Sequence, residues 1–175
     1  MSYIMLAILF LLSGFFMKYS DDLVDVNNNM VLASVFGIVC AVASAAASIY
    51  NVEAAYIFIS ILIGNLLALK IDGVHHLITL ILFIVICLIY GIADINLVIL
   101  LVCILAAFSD EVGHELISTV SDNHFLNLFF EYRFVMKIVV FLLAICGVFN
   151  ILSFICFILF DLAYLAGGVV FEKLN

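Results

Sequence analysis

The chain has 175 residues, of which 69% are hydrophobic and 10% charged, with a mean hydropathy of +1.46 and no proline. A soluble domain has about half apolar and about a quarter charged residues, so the composition excludes that class and predicts an all-α polytopic membrane bundle. The formal net charge of −8 argues against a nucleic-acid partner. We expect residues 1–175 to form a single transmembrane domain.

Apolar segments alternate with short polar breaks along the chain. The predicted segments are 2–17, 30–50, 54–69, 76–93, 95–108, 134–149 and 151–170. Several are shorter than the roughly 20 residues that an upright span needs. The last apolar run is too long for one helix and divides at Asn150. We therefore predict about seven transmembrane helices, with six as the alternative.

The basic residues predict the orientation of these spans. They are Lys18, Lys70, Arg133, Lys137 and Lys173. With seven alternating spans they all fall on one side, which the positive-inside rule makes cytoplasmic. The expectation is a multi-pass protein of the cell membrane, in a prokaryotic plasma membrane, with the N-terminus outside and the C-terminus in the cytoplasm.

The connection after the first segment is rich in carboxylates and carboxamides. On a helix, Asp21, Asp25 and Asn29 recur at i, i+4 and i+8 and share one face, with Asp22 beside them. Clustered carboxylates repel unless a cation lies between them, and hard oxygens suit Mg²⁺ or Ca²⁺. These four residues are predicted metal ligands. The alternative is a solvated loop with an Asp-rich helix cap.

A second acidic cluster follows the fifth segment on the same predicted side. Asp110 with His114, and Glu111 with Glu115, are i, i+4 pairs on a helix that continues from that segment, and we predict metal binding here too. The predicted phosphate-binding residues are Lys70, Arg133 and Lys137. For the last two, anchoring to lipid head groups is an equal alternative.

Three other polar residues invite an interpretation. Asp161 lies inside the last segment, so its carboxyl group should be protonated, paired with a neighbouring helix, or facing a wet cavity. His75 and His76 are adjacent and would point about 100° apart on a helix. We therefore do not expect both to face one metal, and an interfacial cap is the favoured interpretation.

Two acidic clusters and three basic residues on one side of a bundle indicate diphosphate chemistry. Carboxylates hold Mg²⁺, and the metal together with Lys and Arg neutralises a diphosphate so that it can leave. The apolar interior would hold an isoprenoid tail. The expected function is a Mg²⁺-dependent intramembrane enzyme that acts on an isoprenoid or lipid diphosphate.

The same residues carry a family resemblance. Residues 21–29 resemble the first Asp-rich motif, N-D-x-x-D-x-x-x-D, of the UbiA-type intramembrane prenyltransferases, although Asp21 stands where the family has Asn and Asn29 where it has Asp. Residues 110–115 resemble the second motif, D-x-x-x-D, and Leu69-Lys70 lies where the family carries Leu-Lys-Arg. The resemblance implies an all-helical bundle and Mg²⁺-dependent prenyl transfer.

Two alternatives from other functional classes remain open. The acidic residues, with Asp161 inside a span, also suit a divalent-cation transporter or channel. Small residues in the second segment would suit a non-catalytic membrane subunit; they are Ala33, Gly37, Ala41 and the run from Ala43 to Ser48, although we expect that run to pack inside the bundle. The sequence leaves open the lipid, the acceptor, homo-oligomerisation and any membrane partner.

Overall fold

The computed structural model describes residues 2–71, 73–120 and 123–174, without the side chain of residue 118. Within these residues the chain is all-α, as predicted. The helices are α1 Tyr3–Asp25, α2 Met30–Tyr50, α3 Val52–Leu67, α4 Val74–Tyr90, α5 Leu97–Val120, α6 His124–Glu131, α7 Phe134–Ile145 and α8 Ile151–Leu174.

Four helices are long and apolar enough to cross a membrane. They contain the segments Tyr3–Asp25, Met30–Tyr50, Leu97–Ile117 and Ile151–Leu174. At about 1.5 Å per residue, such helices reach the roughly 30 Å of a hydrocarbon core. The apolar helices α3, α4 and α7 have 16, 17 and 12 residues. Length and composition alone therefore identify four of the seven predicted spans.

The acidic connections are more helical than the apolar segments indicated. Helix α1 continues through the first acidic motif to Asp25, and α5 continues through the second to Val120. The ion pair from Lys18 Nζ to Asp22 Oδ1, at 2.7 Å and i, i+4 spacing, supports the last turns of α1. The short helix α6 was not predicted, because its eight residues fell between two apolar segments.

Asn29 does not share a helical face with Asp21 and Asp25, so the i+8 part of that prediction is wrong. Helix α1 ends at Asp25, and Asn28 adopts a left-handed φ of 51°. The Asn29 side chain then accepts a hydrogen bond from the amide of Leu32 and caps α2. Carboxamides favour turns and helix caps over helix interiors, which explains the break.

Pairwise helix contacts close a ring that surrounds the interior. Helix α1 packs against α2 and α8, α3 against α2 and α5, and α7 against α5 and α8, while α4 lies against α2. Helices α1 and α8 approach closely at Gly14, where an added Cβ would lie 2.9 Å from the carbonyl carbon of Phe160. Most of the small residues between Ala43 and Ser48 of α2 are buried, which confirms that this run packs inside the bundle, and Ala33 and Ala41 are fully buried as well.

The connections at one end of the bundle meet around Tyr56 of α3. Its hydroxyl accepts a hydrogen bond from the amide of Asn96, in the α4–α5 connection. Its ring stacks on Phe149, in the α7–α8 connection, with centroids 5.5 Å apart. The acidic residues of α1 and α5 lie together in another part of the bundle.

Candidate functional site

A cavity of about 610 Å³ lies between the helices, within the range of roughly 300–1,000 Å³ typical of small-molecule sites. One part of its wall is apolar. That part includes Met17, Cys40, Phe58, Ile61, Leu62, Leu80, Phe83, Phe157 and Phe160. The other part is polar and is formed by the acidic ends of α1 and α5, the start of α4 and α7, and the middle of α8. The cavity therefore suits a molecule with an apolar tail and a charged head.

Both predicted acidic motifs contribute to the polar wall. The lining includes Asp21 and Asp25 from α1, and Asp110, Glu111 and His114 from α5. The predicted basic residues Lys70, Arg133 and Lys137 and the predicted intramembrane acid Asp161 also line it. The structure thus brings together residues separated by up to 140 positions, because the ring of helices closes α8 against α1.

The first motif divides into lining and non-lining residues. Asp21 is partly buried and Asp25 is exposed, and both line the cavity, as their i, i+4 spacing on α1 requires. Asp22 pairs with Lys18 at 2.7 Å and is absent from the lining. Asn29 is also absent from the lining and serves as the cap of α2. Of the four predicted ligands, only Asp21 and Asp25 face the candidate site.

In the second motif, the Asp110 side chain is buried and binds backbone amides. Its side chain is 1% exposed, and its two oxygens accept hydrogen bonds from the amides of Val135, at 2.9 Å, and Met136, at 2.7 Å. These amides belong to the first turn of α7, whose N–H groups lack partners within the helix. Asp110 therefore caps α7 from a neighbouring helix, an arrangement that sequence spacing alone does not indicate.

The remaining acids of the second motif are held by basic residues. Glu111 accepts a hydrogen bond from Arg133, with 2.7 Å between Oε1 and Nε. Glu115 is exposed, and its Oε2 lies 3.2 Å from Lys70 Nζ. His114 lines the cavity next to these pairs. The carboxylates and the cations predicted for metal and phosphate thus stabilise one another in this structure.

Arg133 is held between α5 and α8. Its guanidinium carbon lies 5.7 Å from the ring centroid of Tyr164 in α8. Burial, the largest single influence, disfavours the charged form, but Glu111 and Tyr164 together raise the pKa of Arg133 above its ordinary value. A permanent positive charge therefore faces the polar wall.

Asp161 has a defined partner, one of the three outcomes expected for it. Its Oδ2 lies 2.9 Å from Lys137 Nζ, which also donates a hydrogen bond to the backbone carbonyl of Tyr132. Lys137 is 8% exposed. A carboxyl group within an apolar helix is tolerated when a neighbouring helix supplies a counter-charge, and α7 supplies it here.

The prediction that His75 and His76 point in different directions is wrong. His75 and His76 both turn toward Asp21, with their Nε2 atoms 3.9 and 3.8 Å from its Oδ1. They stand in the first turn of α4, and their ring centroids lie 3.9 Å apart. Rotation about the side-chain bonds brings the two rings together although their Cα–Cβ directions diverge. Gly73, the N-cap residue of α4, precedes the pair by two positions and is a signal in the sequence that could have indicated such a turn.

The polar wall can serve two chemical purposes. Asp21 and Asp25 offer the oxygen ligands that Mg²⁺ takes, while Lys70, Arg133 and Lys137 offer donors for phosphate oxygens. The observed ion pairs would have to exchange carboxylate for phosphate when a ligand binds. Comparisons of the chain with protein-family models, with curated proteins and with solved structures give no match.

Proposed function

We propose that this chain is a Mg²⁺-dependent intramembrane enzyme that acts on an isoprenoid or lipid diphosphate. The observation that carries the proposal is the shared cavity, where an apolar wall adjoins a polar wall holding Asp21, Asp25, Arg133 and Lys137. An amphiphile would place its hydrocarbon tail among the phenylalanines and its diphosphate at the polar wall. The resemblance of residues 21–29 and 110–115 to the UbiA-type motifs supports the same class.

The residues that line the cavity would have three different roles. Asp21 and Asp25 would hold Mg²⁺, which neutralises charge on the departing diphosphate. Lys70, Arg133 and Lys137 would bind the remaining phosphate oxygens and orient the head group. The apolar wall would keep the reacting carbon away from bulk water. Asp22, Asn29 and Asp110 have structural partners and would act indirectly.

The proposed topology has seven spans, with the N-terminus outside and the C-terminus in the cytoplasm of a prokaryotic cell. Lys70, Arg133 and Lys137 line the cavity and would mark its polar wall as the cytoplasmic side. Helix α6 would lie along this surface, because Phe130 packs where Gly113 of α5 lacks a side chain. Helices α3, α4 and α7 would complete the spans by local thinning of the bilayer.

The two alternative classes have less support. The transporter hypothesis was motivated by Asp161 inside a span, but this carboxylate pairs with Lys137 at 2.9 Å. The subunit hypothesis was motivated by a stripe of small residues, yet Ala33 and Ala41 are buried within the chain's own bundle. The paired Asp161 therefore gives no support to a polar path for ions. The buried alanines give no support to an outward face for a partner helix.

The test is diphosphate release by the full chain reconstituted in liposomes. Geranylgeranyl diphosphate is supplied with Mg²⁺ and a panel of acceptors, and free diphosphate is measured. We expect Asp25→Asn to reduce release at least about tenfold, because a neutral carboxamide binds Mg²⁺ more weakly than a carboxylate does. Asp94→Asn is the matched control, since Asp94 is an exposed aspartate outside the cavity lining. Equal rates for wild type and Asp25→Asn, or undiminished release in chelator, would reject the enzyme.

A further inference from the structure

The first turn of α4 brings two imidazoles to one carboxylate. Asp21 Oδ1 lies 3.9 Å from His75 Nε2 and 3.8 Å from His76 Nε2. Asp21, His75 and His76 each offer one ligand atom such that all three atoms lie within 4.8 Å of one another. All three residues line the cavity. We propose that they form a binding site for a divalent transition metal of the Zn²⁺ class.

The spacing of the three side chains suits such an ion. Bonds of about 2.0–2.2 Å in a tetrahedral site place the ligand atoms about 3.4 Å apart. The distances from Asp21 Oδ1 to the two histidine nitrogens, 3.9 and 3.8 Å, are slightly longer than this value, and all three ligand atoms lie within 4.8 Å of one another. Rotation about side-chain bonds of the three residues would bring the ligand atoms to the spacing that the ion requires.

The space beside Gly73 allows the position that the buried His75 ring adopts. His75 is 3% exposed, and its carbonyl accepts a hydrogen bond from Thr79 Oγ1 at 2.9 Å. A Cβ at Gly73 would lie 2.5 Å from His75 Nδ1, so the ring occupies space that only glycine leaves open. Gly73 therefore allows the His75 ring to fold back over the N-terminus of α4, where it meets Asp21.

The donor set indicates the class of metal. Two imidazole nitrogens and one carboxylate oxygen suit Zn²⁺, Fe²⁺ or Co²⁺, whereas Mg²⁺ prefers oxygen ligands alone. Three protein ligands leave at least one coordination position for water or a ligand oxygen, as in catalytic rather than structural zinc sites. The inference goes beyond the proposed function and stands without it, although the two share Asp21.

The site is tested on the purified full chain in detergent after metal has been removed with a chelator. Co²⁺ is titrated in without lipid or Mg²⁺, and its visible absorption reports tetrahedral coordination by nitrogen and oxygen. Zn²⁺ is then used to displace it, and bound metal is counted by elemental analysis. We expect about one ion per chain and loss of the Co²⁺ absorption when Zn²⁺ is added.

Variants assign the ion to these residues. His76→Gln and Asp21→Asn should each weaken Co²⁺ binding by more than about tenfold, because even residues that only orient a ligand cost 10–100-fold. Gly73→Ala should weaken it by about tenfold, because the new Cβ displaces the His75 ring. His124→Gln is the control, since His124 is exposed on α6 and outside the cavity lining. Thermal unfolding without metal shows that each variant is folded.

Some results would overturn the site. One is an amount of bound metal no higher than in a protein-free detergent blank. Another is unchanged Co²⁺ binding in folded His76→Gln. The third is a loss of Co²⁺ binding in His124→Gln as large as that in His76→Gln. Because Co²⁺ binding is measured without lipid or Mg²⁺, it is independent of diphosphate release. A protein that binds Co²⁺ through His76 but never releases diphosphate would keep this site and remove only the proposed function.

Discussion

Arg133 and Glu111 join the second half of α5 to the start of α7 through an ion pair, with 2.7 Å between Nε and Oε1. The Glu111 side chain is 9% exposed and that of Arg133 34% exposed, so the pair is only partly screened by water. Arg133 also has a left-handed φ of 49° where the chain enters α7. The contact therefore holds a tight turn in place in addition to putting a cation at the cavity.

Removing Arg133 should destabilise the protein. Arg133→Gln leaves the Glu111 carboxylate with no counter-charge in a site that is largely closed to water, and a buried charge without a partner is costly. We expect the free energy of unfolding to fall by about 2 kcal/mol, between the values for exposed and fully buried pairs. Denaturant unfolding in mixed detergent micelles measures it.

Lys70→Gln provides the matched comparison. Its partner Glu115 is 62% exposed, so water can replace the lost ion pair, and we expect a change of no more than about 0.5 kcal/mol. The double variant Glu111→Gln/Arg133→Gln should recover part of the loss, because neither charge is then left alone. Equal destabilisation by Arg133→Gln and Lys70→Gln would contradict the importance of burial.

Asp110→Ala should weaken the start of α7. The change removes both acceptors for the amides of Val135 and Met136, and the Met136 site is buried. We expect a loss of about 2–4 kcal/mol, because charged hydrogen bonds are lost and buried donors are left unsatisfied. Asp110→Asn, which keeps one acceptor, should lose less.

The neighbouring Ser109→Ala is the control for Asp110→Ala. Ser109 is exposed, and its hydroxyl only donates to the carbonyl of Leu105 in its own helix. It should change the free energy of unfolding by less than about 0.5 kcal/mol. Amide exchange at residues 135 and 136 should also quicken in Asp110→Ala. Unchanged exchange there would show that Asp110 does not cap α7.

Composition and helical spacing predict much of this architecture. The apolar fraction predicted an all-α chain, and the i, i+4 spacing of Asp21 and Asp25 predicted that both would face the same way. Both predictions depend on local periodicity, which the sequence carries directly. Helix α1 continues into the first acidic motif for a related reason, since the i, i+4 ion pair between Lys18 and Asp22 supports its last turns.

The sequence does not predict which distant residues interact with one another. Nothing in the spacing of Asp110 indicates that it caps a helix 25 positions later, because that contact depends on how α5 packs against α7. The prediction that the two histidines point apart was wrong for another reason. Cα–Cβ directions were used to judge His75 and His76, but long side chains can converge when a glycine such as Gly73 leaves room for one ring.

Close packing of α1 against α8 should depend on Gly14. An alanine Cβ there would lie 2.9 Å from the carbonyl carbon of Phe160, which is backbone and cannot rotate away. We expect Gly14→Ala to reduce the free energy of unfolding by about 3 kcal/mol, at the upper end of overpacking costs. Gly168→Ala is the control, because its Cβ would meet the flexible end of Lys18 at 3.1 Å. Similar losses in both variants would contradict a rigid contact at Gly14.

The short helix α7 decides the topology, and two engineered cysteines can test whether it crosses the membrane. In a Cys146→Ser background the other native cysteines are buried, so Asp94→Cys and Glu172→Cys introduce the accessible thiols. Positions 94 and 172 are separated by α5, α7 and α8. If all three cross, the two thiols lie on opposite sides of the membrane.

An impermeant maleimide should therefore label position 94 in right-side-out vesicles and position 172 only in inverted ones. This result follows from an odd number of crossings, and the side of each thiol follows from the positive-inside rule. Helix α7 has 12 residues, about 18 Å of helix, which is short for a hydrocarbon core of roughly 30 Å. If both positions react from the same side, α7 does not cross and the six-span alternative replaces the seven-span topology.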